Sequence, residues 1–419
     1  MRRPIKAFTL KHLAASLWFG AMAVAIPASP ATAAATTAPH WVDAWSAPPD
    51  STGPSLPANT VRQVVRTSIG GSSVRIRLSN RYGTAPITIG PIHIAAHADG
   101  ASIQPGTDHA LTFAGKSTVT IAKGADVLSD PASFPVTALE EISVSMYLPA
   151  GARTPTTHLV GNQTAFITRR GNATAATVFP TADAVGSRYF LTDLEVAAAP
   201  AARTLVAFGD SITDGVGSTQ NGNARWPDAL ASRLQADPAL APVAVVDAGI
   251  AGNRILHDGA DPFLGPSALS RFDRDAADKA GVRWVLLFEG INDIAAADML
   301  ATPEAKVSPQ QIIDGMKTLI ARAHAKGLQV WGATLTPYAG VEPPFYTPSG
   351  ETKRQAVNQW IRSAGAFDAV VDFDQAVRDP AHPDHLLPGF DSGDHLHPND
   401  AGYKAMAAAV DLQRLARDK

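Results

Sequence analysis

Two different patterns of hydrophobic residues divide the chain. From about residue 40 to residue 198, apolar and polar positions alternate in short segments such as Val74–Leu78 and Ile142–Met146, and glycine and proline turns separate these segments. Alternation places one face of a strand against a core and the other toward solvent. Short strands with frequent turns predict an all-β sandwich or jelly-roll domain over residues 40–198.

The second pattern begins near residue 203 and continues to residue 419. Continuous apolar runs lie at Leu205–Phe208, Val243–Asp247, Val282–Phe288, Leu328–Leu335 and Ala369–Phe373. Helical periodicity lies between and after them, at Trp226–Gln235, Ser267–Ala280, Pro309–Lys326, Glu351–Ala364 and Asp400–Leu415. Fully apolar strands that alternate with helices predict an α/β domain with a parallel sheet covered on both faces. We expect the Ala/Pro-rich stretch Val196–Arg203 to link the two domains.

The N-terminal residues have the pattern of an export signal. A basic start without acidic residues precedes the apolar run Leu13–Ile26, and Ala31–Ala33 offers small residues for cleavage. This pattern predicts a secretory signal peptide over residues 1–33. The apolar run of fourteen residues is shorter than the roughly 20 that span a bilayer. We therefore expect a secreted or periplasmic protein without stable membrane insertion after signal cleavage.

Composition excludes several classes of protein. Hydrophobic residues make up 45% of the chain, which is typical of a folded protein. The formal net charge is only −3, so nucleic acid is not an expected partner. Cysteine is absent, which excludes disulfides, cysteine-ligated zinc and a cysteine nucleophile.

Residues suited to acyl transfer follow the first three predicted parallel strands. Ser211 lies in the segment GDSITDG, Gly252 in AGN and Asn292 in GIND. Ligands bind beyond the carboxyl ends of the strands in such sheets. There a serine can serve as a nucleophile, a glycine lets a backbone N–H approach closely, and an asparagine amide can donate to an oxyanion. The glycine spacing fits neither a dinucleotide fingerprint nor a Walker A loop.

An aspartate and two histidines near the C-terminus complete the set. Asp394 can fold back onto a histidine ring and leave the other ring nitrogen free as a general base. The spacing slightly favours His397 over His395 without deciding between them. A metal site is the other interpretation of this loop, but no H-E-x-x-H helix supports it, and we expect neither a metal nor a cofactor. Each segment alone is also typical of a turn or a helix cap. Their combination indicates acyl transfer.

The segments resemble the sequence blocks of a known family. Gly209–Ser211, Gly252–Asn253, Gly290–Asp293 and Asp394–His397 are similar to the four blocks of the SGNH, or GDSL-type, hydrolases, with Ile212 where the name motif has leucine. The resemblance covers about half the chain. The N-terminal β-rich half is similar to that of a bacterial subgroup that includes esterases associated with xylan breakdown.

The resemblance implies a flavodoxin-like SGNH hydrolase domain and a role for each residue. Ser211 would be the nucleophile, His397 the general base and then acid, and Asp394 the residue that orients His397. The backbone N–H groups of Ser211 and Gly252, together with the Asn292 amide, would form the oxyanion hole.

We therefore expect a carboxylic ester hydrolase that acts on a small-molecule or polysaccharide ester. Short acyl groups such as acetyl, on plant polysaccharide, are the favoured substrates. One alternative is a lipid or aryl ester hydrolase with the same mechanism. Another, from a different class, is a carbohydrate-binding protein with an inactive hydrolase domain.

A long predicted loop supplies the candidate substrate-binding residues. Thr336–Gly350 is longer than most connections between a strand and a helix, and such loops are often functional. Its residues Tyr338, Phe345 and Tyr346 offer flat apolar surface, while Arg254 could contact a polar substrate or brace its own turn. We expect this loop to border the pocket around the serine.

Overall fold

The computed structural model describes residues 38–300, 302 and 305–417. The signal peptide predicted at residues 1–33 lies outside these residues. The described residues from 39 onward form one compact unit. Within the described residues, none of the helices combines the length and the apolar character that crossing a bilayer requires.

The first part of the unit consists of antiparallel strands. Their bounds are β1 (His40–Ser46), β2 (Ser51–Thr52), β3 (Thr60–Arg66), β4 (Val74–Ser79), β5 (Ile87–Ile89), β6 (Ile92–Ala96), β7 (His109–Leu111), β8 (Val119–Ile121), β9 (Asp126–Leu128), β10 (Glu141–Tyr147), β11 (Thr156–His158), β12 (Ala165–Thr168), β13 (Thr181–Val185), β14 (Arg188–Tyr189) and β15 (Leu191–Ala198). The two larger sheets have the strand orders β1-β15-β4-β9 and β13-β12-β3-β10-β6-β7, and two small sheets have the orders β14-β11-β2 and β5-β8.

The two larger sheets share one hydrophobic core. Ile76 and Leu78 of β4 belong to it together with Ile142, Val144 and Met146 of β10, and all five side chains are fully buried. The apolar positions of these strands therefore face one shared core. The polar positions of β10 differ from the prediction, because Ser143 and Ser145 are buried as well instead of facing solvent. The expected β-rich part with antiparallel sheets is confirmed.

The second part alternates strands and helices. Its strands are β16 (Arg203–Gly209), β17 (Val243–Gly249), β18 (Val282–Phe288), β19 (Gln329–Ala333) and β20 (Ala369–Val371). Its helices are α1 (Ser211–Asp214), α2 (Trp226–Gln235), α3 (Ala268–Phe272), α4 (Ile291–Met299), α5 (Pro309–Ala325), α6 (Pro348–Ser363), α7 (Phe373–Val377), α8 (Asp400–Ala409) and α9 (Leu412–Arg417). Short 3₁₀ and π turns lie at Pro262–Leu264 and Asp273–Ala277.

These strands form one parallel sheet in the order β17-β16-β18-β19-β20. Numbered from the first strand of this part, the order is 2-1-3-4-5, which is the flavodoxin-like topology. The expected fold class is confirmed. The strand order reverses between β16 and β18, and a ligand is expected at the carboxyl ends of those two strands.

Two predicted boundaries are wrong by a few residues. Helix α6 begins at Pro348 rather than at residue 351, because the Thr347 hydroxyl caps the helix by accepting a hydrogen bond from Gly350 N at 2.9 Å. The loop before it therefore ends at Thr347. The predicted linker is also shorter, because β15 continues to Ala198, and Val196 is buried and paired with two strands. Only residues 199–202 connect the two parts.

The two parts meet along β1. Asp43 N donates to Ala280 O and Ala280 N donates back to Asp43 Oδ2, both at 2.9 Å. Ser46 Oγ donates to the backbone oxygen of Asp247 at 2.5 Å. These contacts join the β-rich part to the α/β part, and independent folding of residues 40–198 and 203–419 stays a prediction.

Candidate active site

Ser211 is the first residue of α1, immediately beyond the end of β16. Asp210 precedes it as the helix cap, and Asp210 Oδ1 accepts a hydrogen bond from Ile212 N at 3.0 Å. Burial of this carboxyl, only partly offset by that hydrogen bond, raises the pKa of Asp210 to about 7. The turn is tight, because a Cβ atom added to Gly209 would lie 2.3 Å from the backbone oxygen of Phe288. Glycine at this position therefore lets the serine turn approach β18.

The Ser211 hydroxyl faces the ring of His397. Its Oγ lies 2.8 Å from His397 Nε2, and His397 Nδ1 lies 2.6 Å from Asp394 Oδ2. A carboxylate on Nδ1 fixes the tautomer in which Nε2 accepts the hydroxyl proton. The three side chains therefore have the arrangement of a nucleophile, a base and an orienter.

The surroundings of Asp394 favour its ionised form. Partial burial would raise its pKa, but hydrogen bonds from the His397 ring and from the backbone N–H groups of His397 and Leu396 outweigh burial and lower the pKa of Asp394. The carboxylate therefore keeps its charge at neutral pH, where it can stabilise a protonated His397.

The alternative base, His395, points elsewhere. Its Nδ1 pairs with Asp391 Oδ2 at 2.6 Å, so this loop carries two aspartate–histidine pairs of equal length. The His395 side chain is 52% exposed, whereas that of His397 is 12% exposed and contacts Ser211. The geometry brings to the serine the histidine that the resemblance implied, His397, which spacing alone favoured only slightly.

The second and third segments lie beside this serine because β17 and β18 both pair with β16. Gly209 is in register with Gly249 on one side and with Phe288 on the other. Asn292 Nδ2 donates to the backbone oxygen of Asn253 at 2.9 Å, which joins the two segments directly. Gly252 has a φ of +73°, and a Cβ atom there would lie 2.4 Å from Leu264 Cδ2.

Asp293 also links the Asn292 segment to the loop that follows Gly252. Its two carboxylate oxygens accept hydrogen bonds from Ile255 N at 2.7 Å and Leu256 N at 3.1 Å. Burial, only partly offset by these hydrogen bonds, raises the pKa of Asp293 to about 6. Its role here is structural, because both oxygens are committed to the backbone of the neighbouring loop.

Sequence reasoning missed Arg271, which is fully buried beneath the site. It donates to the backbone oxygens of Gly209 and Ala248 and to Asn253 Oδ1, each at 2.8 Å. Glu289 Oε2 lies 3.6 Å from the same guanidinium. One side chain thus fixes the ends of β16 and β17. No signal in the sequence distinguishes Arg271, because the segment Ser267–Ala280 also contains Arg274, Lys279 and three aspartates.

An apolar cavity of about 200 Å³ opens beside the expected oxyanion donors. It is lined by Gly252, Arg254, Ala260, Leu264, Asn292, Ala295, Ala296, Met299, Leu300 and Phe345. Phe345 is one of these lining residues and Ser211 is not, so a role of Phe345 in the pocket around Ser211 stays a prediction. Arg254 also lines the cavity, and its guanidinium donates to the backbone oxygen of Asp258, which braces its own turn.

Tyr338 is not a substrate surface, contrary to expectation. It is fully buried, and the rings of Phe345 and Tyr346 lie 6.2 Å and 5.1 Å from it at steep angles. It packs with Ile291 and Leu396, the neighbours of Asn292 and His397. Apolar burial explains this position, and Tyr338 supports the site from beneath. Tyr346 is partly buried, and its hydroxyl donates to Asp384 Oδ2 at 3.3 Å.

Across residues 38–300, 302 and 305–417, no group of three or more His, Asp or Glu side chains is arranged to hold a metal ion. The histidines of the C-terminal loop are instead paired singly with aspartates, as His382 with Asp379 and His385 with Asp384.

Comparison with known proteins identifies the α/β part. Residues 207–405 match the model of the GDSL-like lipase/acylhydrolase family. This part of the chain is a domain of that family, and the protein is an ester hydrolase by class. No curated protein matches the chain in sequence.

Several solved structures are similar to about half the length of this chain. An aryl esterase from M. smegmatis is 21% identical, with 52% of this chain and 99% of that chain covered and a TM-score of 0.40. A carbohydrate acetylesterase from Sinorhizobium meliloti is 17% identical, with coverage of 51% and 99% and a TM-score of 0.39. A GDSL-like lipase from Bacteroides thetaiotaomicron is 19% identical, with coverage of 51% and 88% and a TM-score of 0.36.

Proposed function

We propose that the protein hydrolyses carboxylic esters by nucleophilic catalysis at Ser211. The observation that carries this proposal is the continuous chain of hydrogen bonds from Ser211 through His397 to Asp394, with distances of 2.8 Å and 2.6 Å. Ser211 Oγ attacks the ester carbonyl carbon while its proton passes to His397 Nε2. The carbonyl oxygen becomes the oxyanion of a tetrahedral intermediate.

The proposed oxyanion donors are Ser211 N–H, Gly252 N–H and the Asn292 amide. When the intermediate collapses, the bond to the alcohol oxygen breaks and His397 returns the proton to that oxygen. Water then attacks the acyl-enzyme with His397 as the base, which releases the acid and frees Ser211. The charge of Asp394 stabilises the imidazolium in both halves of the reaction.

The apolar cavity supports a substrate with one apolar group of several atoms, such as an aryl ring or a short aliphatic chain. Acetyl esters of plant polysaccharide, the substrates favoured from the sequence, become the second candidate, and with them the cavity receives only the acetyl methyl group. A panel of acetylated xylan, short p-nitrophenyl esters and lysophospholipid separates these possibilities. Faster turnover of acetylated xylan than of every small ester would contradict the apolar-group assignment.

Export is part of the same proposal. The basic start, apolar run and small residues of positions 1–33 support secretion or transfer to the periplasm. N-terminal sequencing of the protein from culture medium or periplasm would identify a cleavage site near residue 33.

We expect Asn292→Ala to lower kcat by about 10²–10³-fold, the usual loss for one oxyanion donor. KM should change less, because the donor acts mainly on the transition state. Steady-state kinetics on p-nitrophenyl acetate measure both constants. A change confined to KM would mean that Asn292 binds the ground-state substrate instead.

We expect Phe345→Ala to change the ranking of esters, because the ring lines the cavity beside Asn292. Tyr346→Ala is the matched control. The Tyr346 ring is next in sequence to Phe345 and packs on Tyr338, but Tyr346 is not among the residues that line the cavity. Relative kcat/KM values across a p-nitrophenyl series and an alcohol series give the ranking. Equal effects of both variants on every ester would contradict the assignment of Phe345 to the pocket wall.

A further inference from the structure

The β-rich part reaches the serine turn through one buried histidine. His158, at the end of β11, is 4% exposed, and its Nε2 lies 3.0 Å from Asp214 Oδ1. Asp214 is the last residue of α1, and Ser211 is the first residue of this single turn. Two side chains thus connect a strand of the β-rich part to the proposed nucleophile.

The surroundings of His158 require a charged ring. Nε2 also faces the backbone oxygen of Val160 at 3.0 Å, and Nδ1 faces the backbone oxygen of Pro48 at 2.9 Å. Both ring nitrogens therefore face acceptors only, and only the imidazolium form donates from both. Asp50 Oδ2 lies 3.8 Å from Nδ1 and adds a second negative charge.

Other charged groups border the same buried space. Arg188, Arg225 and Asp247 line it together with His158 and Asp214. Burial of the ring opposes its charge, but Asp214, Asp50 and Asp247 outweigh burial and raise the pKa of His158 to about 9. The ring is therefore charged at neutral pH.

A second contact holds the residues that follow α1. Asn162 Nδ2 lies 2.6 Å from the backbone oxygen of Gly215 and 2.5 Å from Ser218 Oγ. From the α/β part, Tyr403 of α8 donates to the backbone oxygen of Val216 in the same segment at 2.5 Å. The serine turn is thus held between the β-rich part and the helix that follows the His397 loop.

We propose that His158 and Asn162 of the β-rich part are positioning residues for the nucleophile Ser211, acting through Asp214 and Gly215. The inference rests on the proposed function of Ser211. It gives the β-rich part an indirect role in catalysis, in which it positions the nucleophile and contributes no reacting group. Without these two contacts the helical turn loses its support on one side, and Ser211 Oγ shifts relative to His397 Nε2.

The test uses full-length variants that remove or keep the donor. His158→Leu removes it, and we expect kcat to fall by about 10²-fold, as a misplacement of 1 Å can cause. KM should change less than about twofold, since substrate-binding groups stay in place. His158→Gln keeps one N–H donor for Asp214 and should recover part of the loss. His93→Gln is the control, because His93 pairs with Asp108 at 2.9 Å within the β-rich part alone.

Three further measurements test the positioning role against a general loss of stability. The rate at which a small organophosphate modifies the serine should fall with kcat in His158→Leu, while circular dichroism at the assay temperature stays that of wild type. Asp214→Asn should lower kcat less when it is added to His158→Leu than when it is made in the wild type, because both changes break the same pair.

The melting temperature should also respond to pH. The charged pair stabilises the wild type below the ordinary histidine pKa of 6.5, and this advantage over His158→Gln is lost as pH rises through about 9.

Several outcomes overturn the proposal. A folded His158→Leu variant with wild-type kcat, a loss confined to KM, or an equal loss in His93→Gln would each do so. If His158→Leu does not fold, Asn162→Ala takes its place with the same readouts. Failure of the proposed function looks different, because Ser211→Ala would then stay active and the organophosphate would label another residue.

Discussion

Ser211→Ala should abolish ester hydrolysis, with a loss in kcat of at least about 10⁴-fold. The reason is chemical. Alanine offers no oxygen to form the acyl-enzyme, and His397 then has no hydroxyl proton to accept. Initial rates on p-nitrophenyl acetate, together with covalent labelling by an organophosphate, measure the loss of turnover and of the nucleophile separately.

Ser392→Ala is the matched control for this variant. Ser392 is exposed in the same loop as His397, and its backbone N donates to His397 O at 3.0 Å. Its side chain should be dispensable, so that activity and labelling remain near wild type. Near-wild-type turnover by a folded Ser211→Ala variant would instead disprove the assignment of the nucleophile.

The sequence predicts the parallel sheet well because four of its strands, β16 to β19, are buried along most of their length, and only the edge strand β20 has an exposed residue at its centre, Val370. Such strands are continuous apolar runs, and Val282–Phe288 coincides with β18 to the residue. Helix ends are harder to predict because caps decide them. The start of α6 depends on the Thr347 hydroxyl, and Ser267–Ala280 divides into a short α-helix and a π turn.

The candidate site is largely predictable for a related reason. Its members follow strands, and neighbouring parallel strands bring their ends to one edge of the sheet. Spacing favours His397 over His395 only slightly, because each histidine has an aspartate three or four residues before it. Only the path of the loop, with Leu396 packed on Tyr338, determines which ring reaches the serine.

The supporting residues could not be predicted because their partners are distant in sequence. His158 lies 56 positions before Asp214, and Arg271 lies 62 positions after Gly209. In the β-rich segment, no sequence feature distinguishes His158 from other polar residues in strands. The predicted division into a β domain over residues 40–198 and an α/β domain over residues 203–419 says nothing of these contacts, because only the folded chain makes them.

His397→Gln is the second variant with a large expected effect, a fall in kcat of about 10⁴-fold, as for loss of a triad member. Glutamine can still hydrogen-bond but cannot take the proton of Ser211 at neutral pH, so the loss should appear in kcat and in the rate of organophosphate labelling. The same loop supplies the control. His395→Gln breaks an aspartate–histidine pair of the same 2.6 Å length that does not touch the serine, and it should leave both rates within about twofold of wild type. If His395→Gln were the inactive variant and His397→Gln the active one, the base would be His395, and the contact between His397 and Ser211 would be structural.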